Sequence, residues 1–154
     1  MKISRTAFAF TAALLAAGTL TACTPIISLE AAADSNNPAC AEVSVRLPAT
    51  VANEAKRSTD AQATGAWGNP TAVILRCGLE PVEVSTLPCV TASGVDWLVD
   101  ESAKPSYRFI TFGRNPATEV IVDSNKVAGV SVLDELSSAI QSIEATKECS
   151  AVAN

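Results

Sequence analysis

The chain has 154 residues, 48% of them hydrophobic, no histidine, and a formal net charge of −5 at neutral pH. Without an imidazole, the serine and cysteine triads that use one as general base are excluded. An acidic chain with no cluster of Lys and Arg repels phosphate backbones, so a nucleic-acid partner is not expected.

The first 22 residues divide into a basic head with Lys2 and Arg5, an apolar stretch over 6–20, and a small-residue exit. That is the layout of a secretory signal. The apolar run of 6–22 falls short of the roughly 20 residues that cross a bilayer. Its exit, Leu20-Thr21-Ala22-Cys23, resembles the lipobox of bacterial lipoproteins, in which the cysteine receives a diacylglyceryl group and further acylation such as palmitate. The expectation is a signal peptide over 1–22 and a mature chain that starts at Cys23, held at the extracytoplasmic face of the cell membrane by lipid. Removing Lys2 and Arg5 leaves 9 Lys and Arg against 16 Asp and Glu, a mature charge of −7.

Residues 24–39 mix Pro25, Pro38, alanines, serines and two asparagines without a sustained period. They read as a flexible tether over 23–39, spanning about 20 Å. The remaining 40–154 suffices for a single extracytoplasmic domain. It holds Cys40, Cys77, Cys89 and Cys149, an even number in an oxidising compartment, so two disulfides are expected. Of the three possible pairings, the expected one joins Cys77 to Cys89 as a local clasp and Cys40 to Cys149 across the domain ends. A zinc site has neither histidine nor a CxxC pair to support it, so no metal and no cofactor is expected.

Residues 42–47 alternate apolar and polar, which predicts a strand stopped by Pro48. A helical turn is expected near 51–57. Further strands are predicted at 71–75, 95–99, 107–112 and 118–123, each bounded by Gly, Pro or polar residues. Ser131 stands three residues before Asp134, and Val132, Leu133, Leu136, Ile140 and Ile143 recur at helical spacing, which predicts an amphipathic helix over 131–145. The expected class is therefore α+β, a small antiparallel sheet covered by a C-terminal amphipathic helix.

Four ordered stretches carry a resemblance. They are Ala66-Trp67-Gly68-Asn69-Pro70, then Leu75-Arg76-Cys77-Gly78 with Pro81, then Gly94-Val95-Asp96-Trp97, and Thr111-Phe112-Gly113-Arg114 with Pro116 and Ala117. In order and spacing they resemble the actinobacterial lipoproteins grouped as the domain of unknown function 3515, over about 43–140. Phe112 stands where that family often has tyrosine, and Asp123 where it often has proline. The resemblance implies an exported, disulfide-bridged, membrane-anchored protein, and brings no known reaction, cofactor or ligand. It also implies a place in the cell envelope, because relatives often lie beside genes for cell-wall precursor ligation.

Neither a GxSxG elbow, a P-loop, GxGxxG nor SxxK occurs in the sequence. The expected role is consequently not enzymatic. The protein is read as an envelope binding or accessory component, taking a protein partner or a cell-wall component at a site around Trp67, Arg76, Asp96, Trp97 and Arg114. Tryptophans stack on ligands and arginines grip carboxylates with a bidentate fork; the plainer role is a shared core and internal ion pairs to Asp96 or Glu119. The rival is a carboxylate-dependent enzyme acting on envelope glycans, with Asp96 and Glu119 as its acid and base.

Overall fold

The computed structural model describes residues 25–149; the signal segment and Cys23 lie outside the described residues. Ten elements follow one another: α1 (Pro38–Arg46), β1 (Thr50–Val51), β2 (Glu54–Arg57), β3 (Thr64–Trp67), β4 (Val73–Leu79), β5 (Cys89–Ala92), β6 (Val95–Ala103), β7 (Ser106–Thr111), β8 (Ala117–Asp123) and α2 (Gly129–Ile140). The class is α+β. The strands form one antiparallel sheet in the order β1-β2-β3-β4-β8-β7-β6-β5. It is two four-stranded meanders sewn together by β4 and β8, whose register runs Val73↔Val122 to Arg76↔Glu119.

Eight strands make a larger sheet than expected. Two of the unexpected elements replace other readings. Of residues 42–47, read as a strand, 42–46 belong to α1 and Leu47 is its C-cap: the Asn37 side chain accepts from the Ala39 N–H, Pro38 occupies the first turn, and Cys40 and Val43 are buried. Asparagine before proline is a helix-start signature, and the buried spacing of 40, 43 and 47 is helical, while Val45 is exposed. The turn read near 51–57 is instead the β1–β2 hairpin, closed by Ala52 and Asn53 at positive φ. The helix at the C-terminal end is α2, with Ala128 as its N-cap and no side-chain cap bond, so Ser131 and Asp134 sit inside it and form no capping box.

One face of the sheet shares a single core with both helices: Cys40 and Val43 from α1, Leu133 and Leu136 from α2, and Trp67, Leu75, Trp97 and Val120 from the strands. Alternation along each strand sends the intervening residues to the second face. There Leu98, Ile110 and Ala117 form a smaller cluster with Leu79 and Val82.

The disulfides join Cys40 to Cys77 and Cys89 to Cys149, with Cα separations of 5.6 and 5.8 Å. The expected pairing of Cys77 with Cys89 and Cys40 with Cys149 is therefore corrected. Cys77 and Cys89 are close in sequence, but β4 and β5 are four strand positions apart, about 19 Å at ordinary strand spacing. A disulfide requires Cα atoms within about 7 Å. Cys40 instead sits on α1 over the core face of β4.

Candidate functional site

Residues 24–39, expected to be a free tether, are docked on the domain from Pro25 onward. Arg57, buried at the end of β2, donates from Nη2 to the Pro25 carbonyl at 2.8 Å and from Nη1 to the Gly68 carbonyl at 2.9 Å. The Ile27 N–H donates to the Ser58 carbonyl, and the Asp60 N–H returns to the Ile27 carbonyl. The Leu29 N–H donates to the Asp60 carboxylate at 2.9 Å. That bond, with another from the Ser28 hydroxyl, holds Asp60 below its ordinary carboxylate pKa. Farther along, Arg76 reaches the Glu30 carbonyl and the Asp34 N–H donates to the Gly78 carbonyl. Gly78 has φ +107°, and a Cβ there would lie 2.5 Å from the Asp34 carbonyl carbon. Only glycine fits both the backbone and the strap.

The other chain end is fastened in the same manner. The Thr146 N–H and hydroxyl both donate to the Gly113 carbonyl. Arg114 donates to the carbonyls of Ile143 and Gly94, and the Asp96 carboxylate accepts from the Cys149 N–H at 2.6 Å. Burial pushes the Arg114 pKa down, and Asp96 opposes that shift. Three of the four stretches that carry the family resemblance are thus seats of the two terminal straps, and the first, at Gly68, orients the Arg57 that holds Pro25.

The residues expected to meet a ligand are accordingly used inside the fold. Trp67 and Trp97 are fully buried, and the Trp67 indole donates to the Pro48 carbonyl at 3.1 Å. Neither offers a stacking surface. Arg76 forms an ion pair with Glu119, as does Arg108 from the other side, so the fully buried Glu119 carboxylate is shared by two arginines across three adjacent strands. Asp96 accepts from the Thr91 hydroxyl and the Cys149 N–H. Leu98, Ile110 and Glu119 share one row of the sheet, which places Asp96 two strands and two residues from Glu119, about 12 Å away. The structure does not bring these carboxylates face to face.

A different place has the geometry of a binding site. An apolar cleft of about 590 Å³ opens between α2 and the strands β5 to β7, walled by Val99, Tyr107, Phe109, Val122, Val130 and Leu133. Such a volume falls within the range of ligand sites. The Tyr107 and Phe109 rings stack with centroids 6.3 Å apart, fixed by their alternation on β7. The charged groups on the lining are the carboxylates of Glu101 and Asp134; Glu101 is ion-paired with Lys104, whose ammonium lies 5.5 Å from the Tyr107 ring centroid, and Asp134 accepts from the Ser93 hydroxyl at 2.7 Å. Sequence reasoning missed this site because its residues look like core: 130 and 133 are helical neighbours, and 107 and 109 share a strand face. The helical wall of the cleft is the first part of α2, Gly129 to Asp134.

Neither a curated protein nor a solved structure matches the chain. The model of the family described as "Protein of unknown function (DUF3515)" matches residues 5–149, a span that includes all four stretches, and the chain belongs to that family.

Proposed function

We propose that this is an exported lipoprotein, anchored in the membrane through diacylglyceryl-modified Cys23, and that it acts as a binding component of the cell envelope. It takes an apolar segment of a protein partner, flanked by Lys or Arg, in the cleft between α2 and β5–β7. The observation that carries the binding reading is that cleft: 590 Å³, aromatic and aliphatic walls, and a lining carboxylate, Asp134, with no ion pair among the described residues. Burial of aliphatic and aromatic side chains supplies affinity, and Asp134 selects a cationic flank. The anchoring reading rests on the basic head, the apolar run and Leu20-Thr21-Ala22-Cys23. The glycan-enzyme rival has less support, because Glu119 is committed to two arginines and Asp96 to the C-terminal strap.

Tyr107 is the one tyrosine of the chain and lines the cleft, so selective ¹³C-tyrosine labelling gives a single reporter at the site. Titration of the mature domain with a leucine–lysine peptide is expected to move the Tyr107 ring signals saturably and leave the Trp67 and Trp97 indoles in place. Saturable movement of the indoles with a silent Tyr107 refutes the assignment. Saturation by a fatty acid and not by the peptide transfers the cleft to a lipid.

A further inference from the structure

The N-terminal strap fixes how the anchored domain meets the membrane, given the lipid anchor at Cys23 argued under Proposed function. Cys23 and Pro25 are separated by two peptide links, which span at most about 7 Å in any conformation. From Pro25 the chain has no slack. Arg57, itself buried by the sheet, holds the Pro25 carbonyl. Ile27 is bonded in both directions to the Ser58–Asp60 segment, and Leu29 is bonded to the Asp60 side chain. A cysteine whose acyl chains are in the hydrocarbon sits at the headgroup layer, which is itself only about 5–8 Å deep on each side of a bilayer. The edge of the domain formed by residues 25–28 and 58–60 must then lie within reach of the headgroups.

We infer that the anchored protein rests on the lipid headgroups along this edge, in one orientation. Ile26, next to the strap's first fastening, is 64% exposed, an apolar side chain at the right place to enter the interface. The contacting edge presents Lys56, Ser58 and Asp60 and no basic cluster. Contact therefore depends on the covalent anchor and not on attraction to anionic lipid. The Gly78 seat and the Arg57 clasp on Pro25 acquire a purpose in this arrangement: they convert a lipid anchor that would allow free tumbling into a rigid mount.

The test uses the processed, full-length lipoprotein in vesicles of phosphatidylethanolamine and phosphatidylglycerol containing a headgroup-nitroxide lipid. A fluorescent amino acid is placed at Ser58 or at Val90, and intact mass reports the acyl group on Cys23. The expected result is several-fold stronger quenching at Ser58 than at Val90. A Gly-Ser insert of about 16 residues between Thr24 and Pro25, spanning about 22 Å, leaves the domain untouched and is expected to abolish the difference. Equal quenching at both positions with the acyl mass present overturns the orientation alone. Absence of the acyl mass overturns the anchor, and the orientation with it.

Discussion

Replacing Gly78 by alanine tests whether the strap is held as described. Its φ of +107° is a conformation that costs a residue with a side chain about 1–3 kcal/mol. The new Cβ would lie 2.5 Å from backbone atoms of Asp34 and Ser35, so the strap must move away. Losing the bond from the Asp34 N–H to the Gly78 carbonyl adds about 1 kcal/mol. The expected destabilisation is about 2–4 kcal/mol, or a fall in Tm of about 8–16 °C for a domain of this size. Gly94→Ala is the control: it also has positive φ, but its Cβ meets only the Gln141 side-chain nitrogen, at 3.4 Å, so about 1 kcal/mol is expected. Urea unfolding of the mature domain carrying Cys23→Ala gives the stabilities, and hydrogen exchange reads the Asp34 amide. Equal losses for the two variants, with the Asp34 amide protected in both, would refute the strap seat.

Glu119→Gln takes from Arg76 and Arg108 the carboxylate they share and leaves them beside a buried carboxamide. The side chains of these arginines are 28% and 39% exposed, so water offsets part of the loss and about 2 kcal/mol is expected in urea unfolding; a loss below about 0.5 kcal/mol contradicts the shared ion pair. Asp60 has its folded pKa lowered from 3.8 by the Leu29 N–H and the Ser28 hydroxyl. Its contribution is therefore complete above the unfolded value and is lost as pH falls through the lower folded value. The Leu29 amide shift is expected to titrate with a midpoint below 3.8, and a midpoint above that value contradicts the clasp. Mild reduction is expected to open Cys89–Cys149, whose cysteines are half-buried, before the fully buried Cys40–Cys77, as read by alkylation and peptide mapping. Removing the inner bridge by Cys40→Ser with Cys77→Ser is expected to destabilise by about 4 kcal/mol from the 37-residue separation, and a change near zero contradicts its role.

The centre of the sheet was legible in the sequence. The segments at 95–99, 107–112 and 118–123 fall on β6, β7 and β8, and 71–75 overlaps β4, because apolar alternation and flanking turn residues act locally. The edges were not. The β1–β2 turn uses Ala52 and Asn53 at positive φ without glycine, so the usual hairpin signal is weak. Six residues at 42–47 are too few to separate a period of two from 3.6, and the deciding evidence was the Asn37-Pro38 start. The disulfides were unreadable for a different reason: nearness in sequence says nothing about a sheet in which β5 lies at the far edge from β1. The candidate site divides similarly. The motif residues were identified, but whether Trp67 and Arg114 face solvent or the chain's own ends depends on straps that have no periodicity of their own. The cleft depends on how the first turns of α2 sit against β7, a tertiary relation that neither segment carries.

The binding claim is tested most directly in cells, with a photo-crosslinking residue at Val130 on the cleft, 69% exposed, or at Val84, 88% exposed and away from it. An adduct is expected at Val130 and not at Val84, its peptide mapping by mass spectrometry to an apolar segment flanked by Lys or Arg. An adduct at Val84 alone, or equal adducts at both positions, would contradict the binding claim.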